Sequence, residues 1–397
     1  MLQFALLTQT NATPADLWNS RPRLLAQSPL SVAETRKGSG MAKGSKYGPE
    51  RAIMRDPRSG LRVIRLTHCA SISSNLYFEM CSFTNDAAFV VFISQRGAAR
   101  DAPWDLFRAR TDGLELLQLT DCDDLSGIVM SPKTGSAFYL SRGELRRLDV
   151  LSLKDEAIAD LGGLSPAYPF SLASIDADER TYFAAGVRAD GAGVLFKVGA
   201  ASGKLEVLFE GGLQNHIHVD PTGRTVYFGD NREDGATEYL IEADGRNLRR
   251  YPFLRFAHKT WFGKTGRMQG CLLPPGHGIV TIGEADTAPT VITEGRYYWH
   301  SSASPDAQWI IADTNWPREG LYLIHVATRT VTYVCDPQSS CSHPQWTHPH
   351  PSLSPGMRYV LFNSDLTGIG QVHLVELTDE FLGRAAEGYS CQPVLIG

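Results

Sequence analysis

Asp220-Pro-Thr-Gly-Arg-Thr-Val-Tyr-Phe-Gly-Asp230 decides the fold of this chain. A turn of Asp, Pro and Gly is followed at once by a short run of β-branched and aromatic residues, which is a loop leading into a strand. The same phrase recurs. Thr84-Asn85-Asp86 precedes AAFVVFIS, Ser131-Pro-Lys-Thr-Gly135 precedes SAFYLS, and Asp176-Ala-Asp178 precedes ERTYFAAG. Phe262-Gly-Lys-Thr-Gly266 leads into a weaker run, Ser304-Pro-Asp306 precedes AQWIIAD, and Ser354-Pro-Gly356 precedes MRYVLFNS. The first residues of these turns are 47, 45, 44, 42, 42 and 50 apart. Within most units a hairpin follows, such as Leu106–Thr120 or Leu195–Phe209, turning at Asp-Gly or Ser-Gly. Units of this length, built of short strands and lacking a 3.6-residue apolar period, predict an all-β, seven-bladed β-propeller.

The ends of the chain complete that reading. Gly60-Leu-Arg-Val-Ile-Arg-Leu-Thr67 looks like a hairpin's second half without its first. It is expected to form the outer strand of the last blade, whose inner strands come from the C-terminal end, so that the ring closes without a free edge. Residues 1–40 are rich in Thr, Ser, Ala and Pro and carry no blade-like unit. They read as a disordered leader or an over-extended start, with Met41 beginning the propeller domain, 41–397.

Composition narrows the function. The 397 residues are 43% hydrophobic and 20% charged, as expected of a globular protein with a core. A net charge of −5 argues against a general nucleic-acid or membrane-surface binder, and no apolar run is long enough to span a bilayer. The seven cysteines are odd in number and show no CxxC spacing, which suits reduced thiols in a cytoplasmic protein. Cys335 and Cys341 are the pair whose spacing would allow a disulfide.

The histidines carry the chemistry. In a propeller blade the innermost strand, just before the recurring turn, lines the central channel. Four residues before each turn stand Met80, Gly127, Leu172, His216, His258, His300 and His350. Four consecutive blades therefore present a histidine at one level, although the chain holds only 11. The stretch Gln345-Trp-Thr-His-Pro-His-Pro-Ser352 adds His348 and an amide. In an extended segment, His348 and His350 point to one side, and Pro349 fixes φ between them. Imidazoles with an amide oxygen suit a divalent transition metal. Set against this is the plainer reading of core histidines bonded to neighbouring backbone.

Thr347-His-Pro-His-Pro-Ser352, with Val360-Leu-Phe362 and Ser364-Asp365 after it, resembles the oligogalacturonate lyases, polysaccharide lyase family 22. The resemblance spans roughly Met41 to Leu377. It implies a manganese-dependent propeller enzyme, with another divalent metal as an option, that cleaves 4-linked uronic-acid oligosaccharides by β-elimination. It further implies that His300, Gln345, His348 and His350 hold the ion and that His258, in Ala257-His-Lys-Thr-Trp261, is the base abstracting the C5 proton. His216, Arg232, Tyr77 and Lys259 are the residues expected to bind substrate. Two departures bear on the sugar. Thr237 stands where the family has an arginine, and Ser74-Asn75 stands where it has a His-Arg pair, so a uronic-acid saccharide other than oligogalacturonate is equally expected. The alternative to an enzyme is a non-catalytic, metal-containing propeller that binds saccharide or protein. A peptidase of the propeller-associated type is excluded, because no Gly-x-Ser-x-Gly elbow is present.

Overall fold

A computed structural model describes residues 42–96, 102–167, 173–232, 235–251, 256–315 and 317–388. The leader expected over 1–40 and the channel position Leu172 lie outside these residues.

Seven antiparallel sheets follow one another along the chain. The recurring turn sits where the repeat placed it, between the first and second strand of each sheet. Its chemistry explains the recurrence. In six of the seven the first residue is Ser, Thr or Asp, a short polar side chain that folds forward onto the backbone after it; Phe262 is the exception. Asp220 accepts hydrogen bonds from the amides of Arg224 (2.7 Å) and Thr225 (2.9 Å). The Ser304 hydroxyl takes the Trp309 amide at 3.0 Å, Thr84 that of Phe89 at 3.1 Å, and Ser354 that of Tyr359 at 2.9 Å. Each of these loops then passes through a left-handed residue, at Gly223 (φ 74°), Ala307 (58°), Ala87 (53°) and Gly356 (68°).

Strands after the turn are buried on both faces, because each sheet packs against a neighbour on either side. Ala137–Ser141 and Trp309–Thr314 are buried throughout, which is why they read as continuous apolar runs rather than alternating ones. Seven apolar clusters result among the described residues, each filling the gap between two adjacent blades. In the gap between the last and first blades, Ile64, Leu361 and Leu374 meet Phe92 and Phe107.

Ring closure follows the expected logic with one correction. Arg62–Arg65 pairs antiparallel with Gln371–Glu376, matching Val63 to Val375, and the Arg62 guanidinium meets Glu376 at 2.8 Å. It is not the outer strand, however. Ala52–Arg55 pairs with it from outside and supplies the hairpin half that seemed missing, so this sheet has five strands. Ala52-Ile-Met-Arg55 escapes notice because it lies at the rim, where residues alternate between half-buried and exposed. Lys46–Tyr47 adds a further edge strand to the first blade, beside Leu116 and Leu117. A helix, Asp379–Glu387, capped by Thr378 at its start and by left-handed Gly388 at its end, seats Phe381 and Ala385 on the cluster between the sixth and last blades.

The seam is closed by a strand from the other end of the chain. Ile64→Ala, at a fully buried seam position, is expected to cost about 2–5 kcal/mol of unfolding free energy, measured by denaturant titration. An unchanged midpoint would show that the strand adds no stability.

Cys335 and Cys341 are both buried and both free thiols. Among the described residues, no helix is long and apolar enough to cross a membrane.

Candidate metal centre and active site

The channel-facing histidines project because the innermost strands are broken at their level. Register shifts fall between Asn215 and His218, between Ala257 and Thr260, between Tyr298 and Ser301, and between Ser126 and Val129. Each is a β-bulge, which turns a side chain out of the ladder. Three of the histidines are themselves left-handed, His216 at φ 48°, His258 at 54° and His350 at 45°, and Gly127 occupies the corresponding place at 54°. A left-handed β-carbon costs energy that a glycine would avoid, and such positions cluster at functional sites.

His348 and His350 converge for a different reason from the one the H-x-H spacing predicts. They do not lie on a strand. Gln345–Thr347 forms a 3₁₀ turn, His348 is extended (φ −86°, ψ 145°) and His350 is left-handed. The two rings stack with centroids 5.6 Å apart, and His300 stands edge-on to both, at 5.4 Å and 4.3 Å. One ring nitrogen from each of His300, His348 and His350 lies within 4.8 Å of the others.

The hydrogen bonds of these rings leave one nitrogen of each unused. Nδ1 of His300 faces Asp313 Oδ2 at 2.8 Å, while Asp313 Oδ1 accepts the His300 backbone amide, also at 2.8 Å. Nε2 of His348 donates to the Ser342 carbonyl at 3.0 Å. Asn75 donates to the His350 carbonyl at 2.7 Å, and Asn363 bridges Asn75 to the His348 carbonyl. What remains is His300 Nε2, His348 Nδ1, His350 Nε2 and Gln345 Oε1, all buried and none with a hydrogen-bond partner. Orphaned buried acceptors are rare, and each costs roughly 1–3 kcal/mol. A cation held by the three ring nitrogens, which lie within 4.8 Å of one another, removes that cost for them. The three histidines therefore fit a divalent ion, with the Asp313–His300 pair as the carboxylate–imidazole relay that usually orients such a ligand.

The charges agree. Burial, reinforced by the neighbouring imidazoles, holds His300 and His350 well below the ordinary histidine range, and burial lowers His348 as well. All three are thereby kept neutral, with lone pairs available. Burial pushes Asp313 up to about 7, against the pull of the backbone amides of His300, His350 and Trp299.

His258 stands beside this centre, its ring 4.5 Å from His300 and 4.6 Å from Trp299, with Phe78 edge-on at 5.6 Å. Its Nδ1 is buried without a partner. Desolvation first, and then the nearby His300 and His216, keep it well below the usual histidine pKa.

The expected substrate residues divide. Tyr77, left-handed at φ 100°, lies against His350 at 4.4 Å and 6.4 Å from His216, so its ring stands between two histidine groups. His216 is bound through Nδ1 to Glu79 at 2.6 Å. Arg232 is half exposed and paired through Nε to buried Asp230 at 2.7 Å. Lys259 is drawn away from the channel. Its ammonium is buried against Glu238 of the fourth blade at 2.7 Å and donates to the Phe256 carbonyl of its own blade, so it is engaged between two adjacent blades.

Residues outside the sequence reading complete the picture: Asp313, Glu79, Asn75, Asn363 and Trp299. Asp313 carried a usable signal, as an acid inside the apolar run Trp309-Ile-Ile-Ala-Asp-Thr314. It sits opposite the bulge, where other blades place Tyr139, Phe228 and Gly270. A buried acid there needs a partner. Asp313→Asn is expected to weaken divalent-ion binding roughly 10–100-fold while the fold persists, as read by competition with a chromogenic chelator. Unchanged affinity would remove Asp313 from the centre.

No protein-family model matches the chain. It is 22% identical to an oligogalacturonide lyase of Pectobacterium atrosepticum over 408 aligned positions, covering 85% of this chain and 99% of that protein. It is 23% identical to an oligogalacturonate lyase of Dickeya dadantii, with the same coverage of 85% and 99%. Among solved structures, an oligogalacturonate lyase in complex with manganese superposes with a TM-score of 0.73 at 20% identity, over 86% of this chain and all of the other. An oligogalacturonate lyase from Vibrio parahaemolyticus gives 0.73 at 18% identity, with 86% of this chain covered. Along nearly the whole length of those proteins, the chain is similar to oligogalacturonate lyases in sequence and shares their fold.

Proposed function

We propose that the protein is a divalent-metal-dependent lyase of 4-linked uronic-acid oligosaccharides, oligogalacturonate-like, acting by β-elimination. One observation carries the reading: four buried lone-pair atoms on His300, Gln345, His348 and His350 lack hydrogen-bond partners, beside a fifth on His258. The named relatives supply the substrate class, and the manganese complex among them supplies the metal preference.

Elimination requires loss of the C5 proton, which is only weakly acidic while the adjacent carboxylate is anionic. When bound, the ion's contribution is to neutralise that carboxylate. The chain does the rest. Its ligands are three imidazoles and an amide, all neutral, so the cation's charge is not spent on protein groups. His258 takes the C5 proton on Nδ1. The C–H electron pair forms the C4–C5 double bond, and the C4–O bond breaks with its pair going to the departing sugar's oxygen. Tyr77, Phe78 and Trp299 wall the site and limit water beside the base.

The test is incubation of purified protein and Mn²⁺ with a panel of uronate oligosaccharides, followed in the ultraviolet for the unsaturated product. Rising absorbance on at least one 4-linked uronate is expected. Silence across the panel, with metal bound, would favour a non-catalytic metal-containing propeller that binds saccharide or protein.

A further inference from the structure

A second group of ligating side chains lies on the other side of Tyr77. His216 and His218 flank the bulge of the fourth blade, and Glu79 reaches them from the loop between the first two strands of the first blade. One ligand atom from each of the three lies within 4.8 Å of the others. The Glu79 side chain is fully buried (0% exposed) and that of His218 nearly so (10%). Glu79 Oε1 meets His216 Nδ1 at 2.6 Å. Its other oxygen, Oε2, makes an ion-pair contact with His218 Nε2 at 3.1 Å that lacks hydrogen-bond alignment, and both atoms are buried with no aligned hydrogen-bond partner.

A fully buried carboxylate gathered with two imidazoles, one of its two contacts out of hydrogen-bond alignment, is an arrangement that hydrogen bonding leaves incompletely satisfied. A cation among the three groups satisfies it. Two imidazoles and one carboxylate are a recurring three-ligand set for zinc, with a further position open, and they also accept manganese. We infer that Glu79, His216 and His218 form a second divalent-cation site, separate from the centre at His300, His348 and His350. Tyr77 stands between the two, 4.4 Å from the His350 ring and 6.4 Å from that of His216. An ion here with an open position would offer an anionic sugar a second carboxylate contact. That role rests on the lyase reading; the presence of the ion does not.

The experiment counts ions. Full-length protein is stripped with a chelator, reloaded with excess Zn²⁺ or Mn²⁺, desalted, and its metal per chain measured by mass spectrometry alongside circular dichroism and a thermal melt. Two ions per chain are expected for the wild type. Glu79→Gln and His218→Gln should each hold one, His348→Ala one, and Glu79→Gln combined with His348→Ala none. If Glu79→Gln fails to fold, anomalous diffraction from zinc-loaded wild-type crystals decides, by a peak beside Glu79 or its absence. Wild-type protein with one ion that survives Glu79→Gln, or with two that both survive it, overturns the inference. A single ion lost in Glu79→Gln yet kept in His348→Ala sustains it, and removes instead the centre on which the lyase reading relies.

Discussion

His258→Ala is expected to lower turnover of the uronate substrate by about 10²–10⁴-fold, the usual worth of a positioned proton acceptor, while leaving the bound metal in place. The argument is one of lone pairs. His300 and His348 each commit one ring nitrogen to a fixed partner, His350 is held through its carbonyl, and His300 Nε2, His348 Nδ1 and His350 Nε2 are left buried without a hydrogen-bond partner. His258 lies in ring contact with His300 but outside the group whose nitrogens gather within 4.8 Å. Its Nδ1 is therefore the unpartnered nitrogen most available to a proton on the substrate. Turnover and metal content should be measured on one preparation. Full activity on the true substrate would refute the base assignment. Loss of metal with loss of activity would make His258 a ligand, and His216 the next candidate for the base.

Replacing His348 is expected to do the reverse, removing the ion and turnover together. Its Nδ1 is one of three ring nitrogens that gather within 4.8 Å, and the loop that carries it is fixed by Asn363, Asn75 and Ser342 rather than by the metal. The polypeptide should therefore stay folded when the ligand goes. Affinity should fall by more than the ~10–100-fold that follows loss of an outer partner. Chelation should silence the wild type, and added Mn²⁺ should restore it but not the His348→Ala variant at the same concentration. A variant that keeps both metal and rate would take His348 out of the centre.

The two substitutions together separate an enzyme from a metal-bearing scaffold. In a scaffold, His258→Ala would change neither metal content nor saccharide binding. In a lyase, saccharide binding persists and the ultraviolet signal disappears. The half-exposed Arg232 and the ring of Tyr77 are then the residues to vary in search of the preferred sugar. Lys259 is a poor first choice, since its removal would leave Glu238 without its ion pair between the two blades.

What the sequence determined alone was whatever a short segment must encode for itself. Six of the seven turns open on Ser, Thr or Asp because one side chain there satisfies amides just ahead of it, and that requirement is met within about five residues. The strands are continuously apolar because both faces of each blade are covered. Period and blade number were therefore legible, and so was the level of the histidines, since the repeat carries it, whereas the rim strands Lys46–Tyr47 and Ala52–Arg55 were not. Tertiary structure decided where those side chains point and what they touch. His216 finds Glu79 across 137 positions, Asn75 holds the His350 loop across 275, and Lys259 turns into a pair with Glu238 rather than toward a substrate. The left-handed backbone positions of His216 and His258, in bulges, and of His350, in a loop, carry no glycine to mark them. Their strain is borne by contacts between blades, and such contacts exist only once the ring has closed.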